Sequence, residues 1–404
     1  MPIEDKEKSI NSLIIAVVLM ATTLSTTLLL GFGISSNGNL YILILLSALL
    51  AYKISKSGVS RLYRVNKHVA TMIAYVVLWY AASKLICGSA VRYSLIQFVF
   101  YTILPIICIS FAADTKLVCK YVMYLSLLTI LGGSKWFGYI YSYMNQAEMG
   151  YIYPVVTMLI CAIYHFRYYR KDPDTRWLVK LCYFYNAYML VRVCMVANRG
   201  ALLTVIVTVF VAMLYDFKDD DSMKRISVKQ IAIWIGVIAI VYVSLSYTSE
   251  LFAMLSNLFS SVFGYVPSTI LKMQRYIGFG DISNGRSDIY DVVLPAIFDS
   301  PIWGHGIETI HANTNGSILY PHNFIVQFLY EGGLVFAFFP LLLAISMPVK
   351  VLAGRIKDKD QYVMAAMLTC QCYPKLLLSS DPWMSTSIWL LIMYSFMHYR
   401  KHRY

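Results

Sequence analysis

The segment Asn11 to Leu30 contains no charged residue, and it is the first of several such runs. About 18 apolar residues in a row are enough to cross a bilayer as a helix. In lipid, backbone N–H and C=O groups must be paired internally, so only helices and closed barrels span a membrane. Repeated runs of this length therefore specify a bundle of membrane helices. Composition agrees: 59% of residues are hydrophobic and 14% charged, against about 25% charged in a soluble domain. The expected fold class is all-α, a single polytopic integral membrane domain over residues 1–404, with no soluble domain of useful size. Met1 to Ser9 is short, polar and mixed in charge. It lacks the pattern of a cleavable signal, so the first span is expected to remain as an anchor.

Hydropathy places spans near 11–30, 34–52, 69–86, 94–113, 117–131, 151–166, 177–197, 200–215, 231–247, 323–347, 361–378 and 384–398. An even number puts both termini on one side. One set of connections holds Lys53, Lys56, Arg61, Arg64 and Lys67, then Arg167, Arg170, Lys171, Arg176 and Lys180. It continues with Lys218, Lys224, Arg225 and Lys229, then Lys350, Arg355, Lys357 and Lys359. The opposite set holds little beyond Arg92, Lys135, Arg199, Lys272, Arg275 and Arg286. A Lys/Arg bias of roughly fourfold marks the richer side, and both termini, as cytoplasmic. The formal charge of +13 is then mostly topology and does not argue for a nucleic-acid partner. The long segment 248–321 and the Tyr-rich stretch 132–150 face outward.

The eight cysteines lie in or beside spans and the long outer loop contains none, which excludes a disulfide-framed outer domain. No HExxH, phosphate loop or outward cluster at metal-ligand spacing occurs, so neither metal nor cofactor is expected. Within the outer loop, Leu251, Met254, Leu255, Leu258, Phe259, Val262 and Phe263 share one helical face. That helix is expected either on the outer leaflet or packed over the bundle. A second helix is expected from about Ser283, through Arg286, to just before Pro301. His305 and His311 are expected in flexible loop, tolerant of replacement.

Tyr320-Pro321-His322-Asn323 stands where the polar loop runs into the tenth span. Proline suits the first turn of a helix because its missing N–H would be unpaired there. This predicts His322 in the opening turn, where the helix dipole disfavours imidazolium and the ring stays neutral. Free amides at the same helix start could hold an anion. A neutral base beside an anion site suits transfer from a phosphorylated donor. On helix-terminus grounds alone, a structural histidine is the competing reading. Arg199 lies at the outer junction of the seventh and eighth spans, with Arg192 about two turns deeper. An arginine inside a span needs a partner, and Glu331 in the tenth span is the candidate. For Arg199 the alternative is snorkelling to lipid headgroups.

Asn198-Arg199-Gly200-Ala201-Leu202-Leu203 resembles the Arg-x3-Leu element of the O-antigen ligase and polymerase superfamily. Pro321-His322-Asn323 through Gly333 resembles its His-x10-Gly element. Between them, Arg286 and Ser300-Pro301-Ile302-Trp303-Gly304-His305-Gly306 resemble its arginine helix and glycine turn. Asn198 departs from the serine commoner at that position. The resemblance implies a GT-C-type bundle of about twelve helices, with a large periplasmic loop between the ninth and tenth spans. It implies a bacterial inner-membrane glycosyltransferase acting on undecaprenyl-diphosphate-linked oligosaccharide, inverting and metal-independent. His322 would be the catalytic base, and Arg199 and Arg286 would bind the diphosphate. Arg192, Arg275, Asn323 and Glu331 would support them. The polymerase branch, preferred on overall family likeness, would use a second lipid-linked repeat unit as acceptor and implies a chain-length regulator protein as partner. The ligase branch would use lipid A–core. A lipid-linked oligosaccharide flippase is the alternative of another class, but no duplicated broken helices are evident in the two halves.

Overall fold

The computed structural model describes residues 3–33, 38–57, 67–88, 91, 93–133, 152–171, 177–196, 199–217, 223–225, 248–264, 266, 270–271, 286–378 and 381–398. The expected span 231–247, most of the Tyr-rich stretch 132–150, and Arg275 lie outside the described residues. The chain is mostly helical: α1 Ile3–Leu19, α2 Ala21–Phe32, α3 Gly38–Ser57, α4 Lys67–Cys87, α5 Leu95–Cys108 and α6 Thr115–Gly132. There follow α7 Ile152–Tyr169, α8 Trp177–Val196 and α9 Arg199–Met213. A short hairpin, β1 Tyr215–Phe217 with β2 Met223–Arg225, pairs antiparallel. Then come α10 Thr248–Phe263, α11 Arg286–Asp299, α12 Ile310–Asn313, α13 Phe324–Leu352, α14 Lys359–Leu378 and α15 Thr386–His398.

By length and composition, α4, α6 and α13 can cross a membrane, and α1 with α2 makes a fourth if that pair is one broken span. The first expected span is thus not one straight helix: the chain bends by 63° between α1 and α2. The hairpin also corrects the all-α expectation. Side chains such as Leu78, Phe184 and Val191, on α4 and α8, are exposed apolar surface of the kind a lipid-facing helix carries.

Local chemistry sets the helix boundaries. Asp114 caps α6 by accepting from the Leu117 N–H at 3.1 Å. Ser94 and Gln97 form a capping box at the start of α5. In α5 a π turn over Val99–Ile103 precedes Pro105, whose ring supplies no N–H to the α ladder. The helix α9 packs along α14, α1 along α6, and α7 between α6 and α9; α13 packs on α14 and α15.

One end of the bundle is clasped by tyrosines. The Tyr168 hydroxyl donates to the Ala212 carbonyl at 2.9 Å, and Tyr215 donates to Leu352 at 2.7 Å. Tyr362 donates to Val211 at 2.9 Å, and Tyr169 to the Asp360 carboxylate at 2.6 Å. Arg167 pairs with Asp216. The C-terminal ends of α7, α9 and α13 and the start of α14 therefore meet, as the shared-side grouping of their Lys/Arg-rich connections requires. The starts of α9, α13 and α15 and the end of α14 lie at the other end.

The long loop is not detached from the bundle. Val293, Ile310 and Ile318 form a small core with Tyr330 of α13, flanked by Ile289, Ala296 and Val326. The helix α11 begins at Arg286, close to expectation. On α10, Met254, Leu258 and Val262 are exposed, which favours the interfacial placement over packing on the bundle.

Candidate active site

The centre of the site is a backbone joint. At Gly333, φ is 53° and ψ −156°, which interrupts α13. The turn Ser300–Gly306 lies across this break. His305 N–H donates to the Tyr330 carbonyl at 2.8 Å, and Gly306 N–H to that of Glu331 at 2.9 Å. In return, Leu334 N–H donates to Pro301 at 2.8 Å and Val335 N–H to Ile302 at 3.0 Å. Backbone groups freed by the break are thus paired by the loop, as burial requires. A Cβ on Gly304 would lie 2.5 Å from the Gly333 nitrogen, and one on Gly333 would lie 2.5 Å from the Ile302 carbonyl carbon. The two glycine motifs read from the sequence are the two halves of this joint. The turn is also tied to α4, because Ile307 N–H donates to the Ser83 hydroxyl at 3.1 Å.

Beneath the joint lies a buried polar cluster that sequence reasoning missed apart from Glu331. One Glu331 oxygen accepts from the Glu308 backbone N–H and from the Gln327 amide, both at 3.0 Å. The other accepts from the Trp383 indole N–H. The same Gln327 nitrogen reaches Asp381 at 3.1 Å and Glu308 at 3.5 Å. One amide therefore sits where three carboxyl groups converge, with Glu331 1% exposed. Trp383 is boxed by Trp79, Tyr93, Phe328 and Trp389, with ring centroids 5.0 to 5.9 Å away. The Tyr93 hydroxyl donates to the Trp383 carbonyl. Burial pushes that phenol well above its ordinary value, so it remains a donor. Asp381 is three residues past α14 and Glu308 lies in a loop; neither belongs to a periodic pattern. The only signal in the sequence was that Asp381 is an isolated acid beside a span; Glu308 carried none.

His322 is not in the first turn of α13. Asn323 is the N-cap, accepting from Ile325 N–H at 3.0 Å and Val326 N–H at 3.4 Å. His322 stands one residue earlier at φ 59°. Its half-buried ring lies 4.3 Å from that of Tyr320. The cap preference of asparagine prevails over the N1 preference of proline. Two expectations fall with it. The dipole argument for a neutral ring loses its geometry, and the amides expected to hold an anion are partly occupied by Asn323.

Glu331 is spent on Trp383, Gln327 and Glu308, so it is not the partner expected for Arg192. The half-buried Arg192 guanidinium lies 6.0 Å from the Tyr188 ring. His305 is not in flexible loop. Its Nε2 is 2.7 Å from the Ala296 carbonyl, and its ring stacks on Tyr330 at 4.6 Å. His311 is in the short helix α12. Arg199 and Arg286 are each the first residue of a helix, α9 and α11.

A family model described as O-antigen ligase matches residues 184–341, from within α8 to beyond the break in α13. This stretch of the chain is therefore similar to the O-antigen ligase family, which supports the resemblance to the O-antigen ligase/polymerase superfamily carried by the sequence motifs. No curated protein matches the chain. The ligase domain takes in Arg192, Arg199, Arg286, the glycine turn, His322 and Gly333, and so contains both halves of the joint. Asp381 and Trp383 lie outside it, supplied by the connection between α14 and α15. The match supports, at a coarse level, an enzyme of the O-antigen ligase/polymerase type.

Proposed function

We propose that this protein polymerises undecaprenyl-diphosphate-linked repeat units of O-antigen, or of a related polysaccharide, at the periplasmic face of the bacterial inner membrane. The observation that carries the reading is the order of parts within the ligase domain. An arginine opens α9, a second opens α11, the glycine turn follows, and His322 stands immediately before an interrupted span. A cation at the positive end of a helix is unfavourable by about 0.3–1 kcal/mol. An anion between guanidinium and helix start removes that conflict. A diphosphate fits the need, and arginine grips it through parallel hydrogen bonds. His322 at positive φ is likewise held at a cost of about 1–3 kcal/mol, a strain that gathers at functional sites.

In this reaction the acceptor hydroxyl attacks the anomeric carbon of the donor sugar while His322 takes the hydroxyl proton. The bond from that carbon to phosphate oxygen breaks, and undecaprenyl diphosphate leaves with the electron pair. Arg199 and Arg286 offset the charge that develops on it. One direct displacement inverts the anomeric configuration. Segment 248–321 is the periplasmic loop that supplies Arg286 to the site, and both termini are cytoplasmic. The family description itself favours a second reading, in which lipid A–core is the acceptor.

The lipopolysaccharide ladder of a deletion strain separates these. Core carrying a single repeat unit is the expected result. Loss of all O-chain would replace polymerase by ligase. Lipid-linked repeat units trapped on the cytoplasmic side would replace both by a flippase.

A further inference from the structure

The helix start at α13 is capped by its own Asn323, which raises the question of where else fixed positive charge collects near Arg199. A small cavity lies between the starts of α7, α9 and α15 and the end of α14. Tyr153, Thr157, Thr204, Gln371, Lys375 and Ser385 are among its lining residues. The volume open to a water-sized group is about 20 Å³, room for one such group. It would take the tip of a larger ligand, not a whole sugar.

Its chemistry is one-sided. Among the described residues, the lining contains no carboxylate, and none pairs with Lys375. Nothing nearer than the Tyr153 ring centroid, at 5.9 Å, faces the ammonium among the described aromatic contacts. The positive ends of α9 and α15 add to that charge. Gln371 is 7% exposed, and its Nε2 lies 3.0 Å from the Thr157 hydroxyl. Its carbonyl oxygen is buried and has no hydrogen-bond partner among the described residues. Whichever way the amide is turned, one end meets Thr157 and the other is left over. An NH2 turned inward, with the oxygen accepting from Thr157, would complete a donor-lined pocket for an anion.

Position links the pocket to the proposed chemistry. A Cβ on Gly200, the residue after Arg199, would lie 2.0 Å from the Tyr153 hydroxyl. Tyr373, two residues before Lys375, packs on Phe324 with ring centroids 5.6 Å apart, and Phe324 is two residues after His322. The chain from Asp381 to Ser387 runs from the carboxylate cluster to the pocket wall.

We infer that this cavity is an anion-binding pocket in which Lys375, positioned with Gln371, receives one phosphate oxygen of the lipid-linked donor near the start of α9. The inference rests on the glycosyltransferase reading and adds to it a cation from α14, outside the ligase domain.

The test uses the purified full chain in detergent, titrated with undecaprenyl diphosphate, undecaprenol or phosphatidylglycerol while ligand-induced thermal shift is followed. Undecaprenyl diphosphate is expected to bind wild type well above the other two. Lys375→Gln is expected to weaken it about tenfold or more, the scale of one charge-assisted hydrogen bond, and Lys375→Arg by only a few-fold. If Lys375→Gln fails to fold, Gln371→Leu reads the same pocket and is expected to weaken binding also. Unchanged diphosphate binding in both Lys375→Gln and Gln371→Leu would overturn the pocket while leaving the enzyme reading intact. Equal, Lys375-dependent binding of phosphatidylglycerol would overturn it in favour of a headgroup contact. No binding of undecaprenyl diphosphate to wild type would overturn pocket and enzyme reading together.

Discussion

At the scale of single residues, the proposed reaction divides the site into groups that would touch substrate and groups that hold the frame. His322→Ala is expected to leave a folded, membrane-inserted protein that forms no ladder in a complemented deletion strain; a near-normal ladder would end its role as base. Arg199→Lys and Arg286→Lys keep the charge and lose the planar fork. Both are expected to lose most transfer at normal expression, and full activity in both would reduce them to headgroup contacts. Glu331 belongs to the frame. Glu331→Leu removes the acceptor of the Trp383 indole and of the Glu308 N–H, while the Gln327 amide keeps Asp381. With about 1–3 kcal/mol for each buried donor left unpaired, the melting temperature in detergent is expected to fall sharply. His322, Glu331 and Arg199 stand out in the sequence because each is an ionisable residue at or inside an apolar run, and Arg286 through its likeness to the family's arginine helix. Glu308 and Asp381 do not. Asp381 meets Gln327 across 54 positions, and nothing periodic announces a contact between two loops and a span.

At the scale of elements, hydropathy located the described helices well, because apolar length is a property of the chain itself. It could not locate the break in α13, since Gly332-Gly333 within a greasy run reads as tolerated helix. Gly333 at positive φ interrupts the helix, and the partner that pairs the freed backbone groups is visible only once residues 300–306 are folded against it. The bend between α1 and α2 likewise leaves no mark in hydropathy. This joint makes a sharp mutational prediction. Gly333→Ala and Gly304→Ala each place a Cβ within 2.6 Å of backbone that belongs to the other half, at positive φ besides. Both are expected to abolish recovery of monodisperse protein. Gly264→Ala also sits at positive φ, but no atom lies within 4 Å of its Cβ. It is expected to cost only about 1–2 kcal/mol, read as a modest drop in melting temperature. Equal tolerance of all three would mean that the turn and the break do not need their close approach.

For the molecule as a whole, one end of the bundle is a tyrosine clasp and the other gathers the starts of the helices that carry the proposed chemistry. If fixed guanidinium and ammonium groups carry the leaving diphosphate, transfer by purified protein is expected to persist in excess EDTA. Collapse with EDTA and recovery with magnesium would move that burden to a metal ion. The joint at Gly333 also bears on how such a protein is made. The ribosome completes residues 300–306 before it begins the span they will brace. With segment 248–321 translocated as proposed, the brace is already outside the translocon when its span leaves sideways into lipid. A nascent chain truncated before Phe324 would lack the span altogether, whereas one missing 300–306 would offer the bilayer a span with unpaired backbone groups around Gly333. Such a span is expected to stall at the lateral gate, making the glycine turn a device for biogenesis as much as for chemistry.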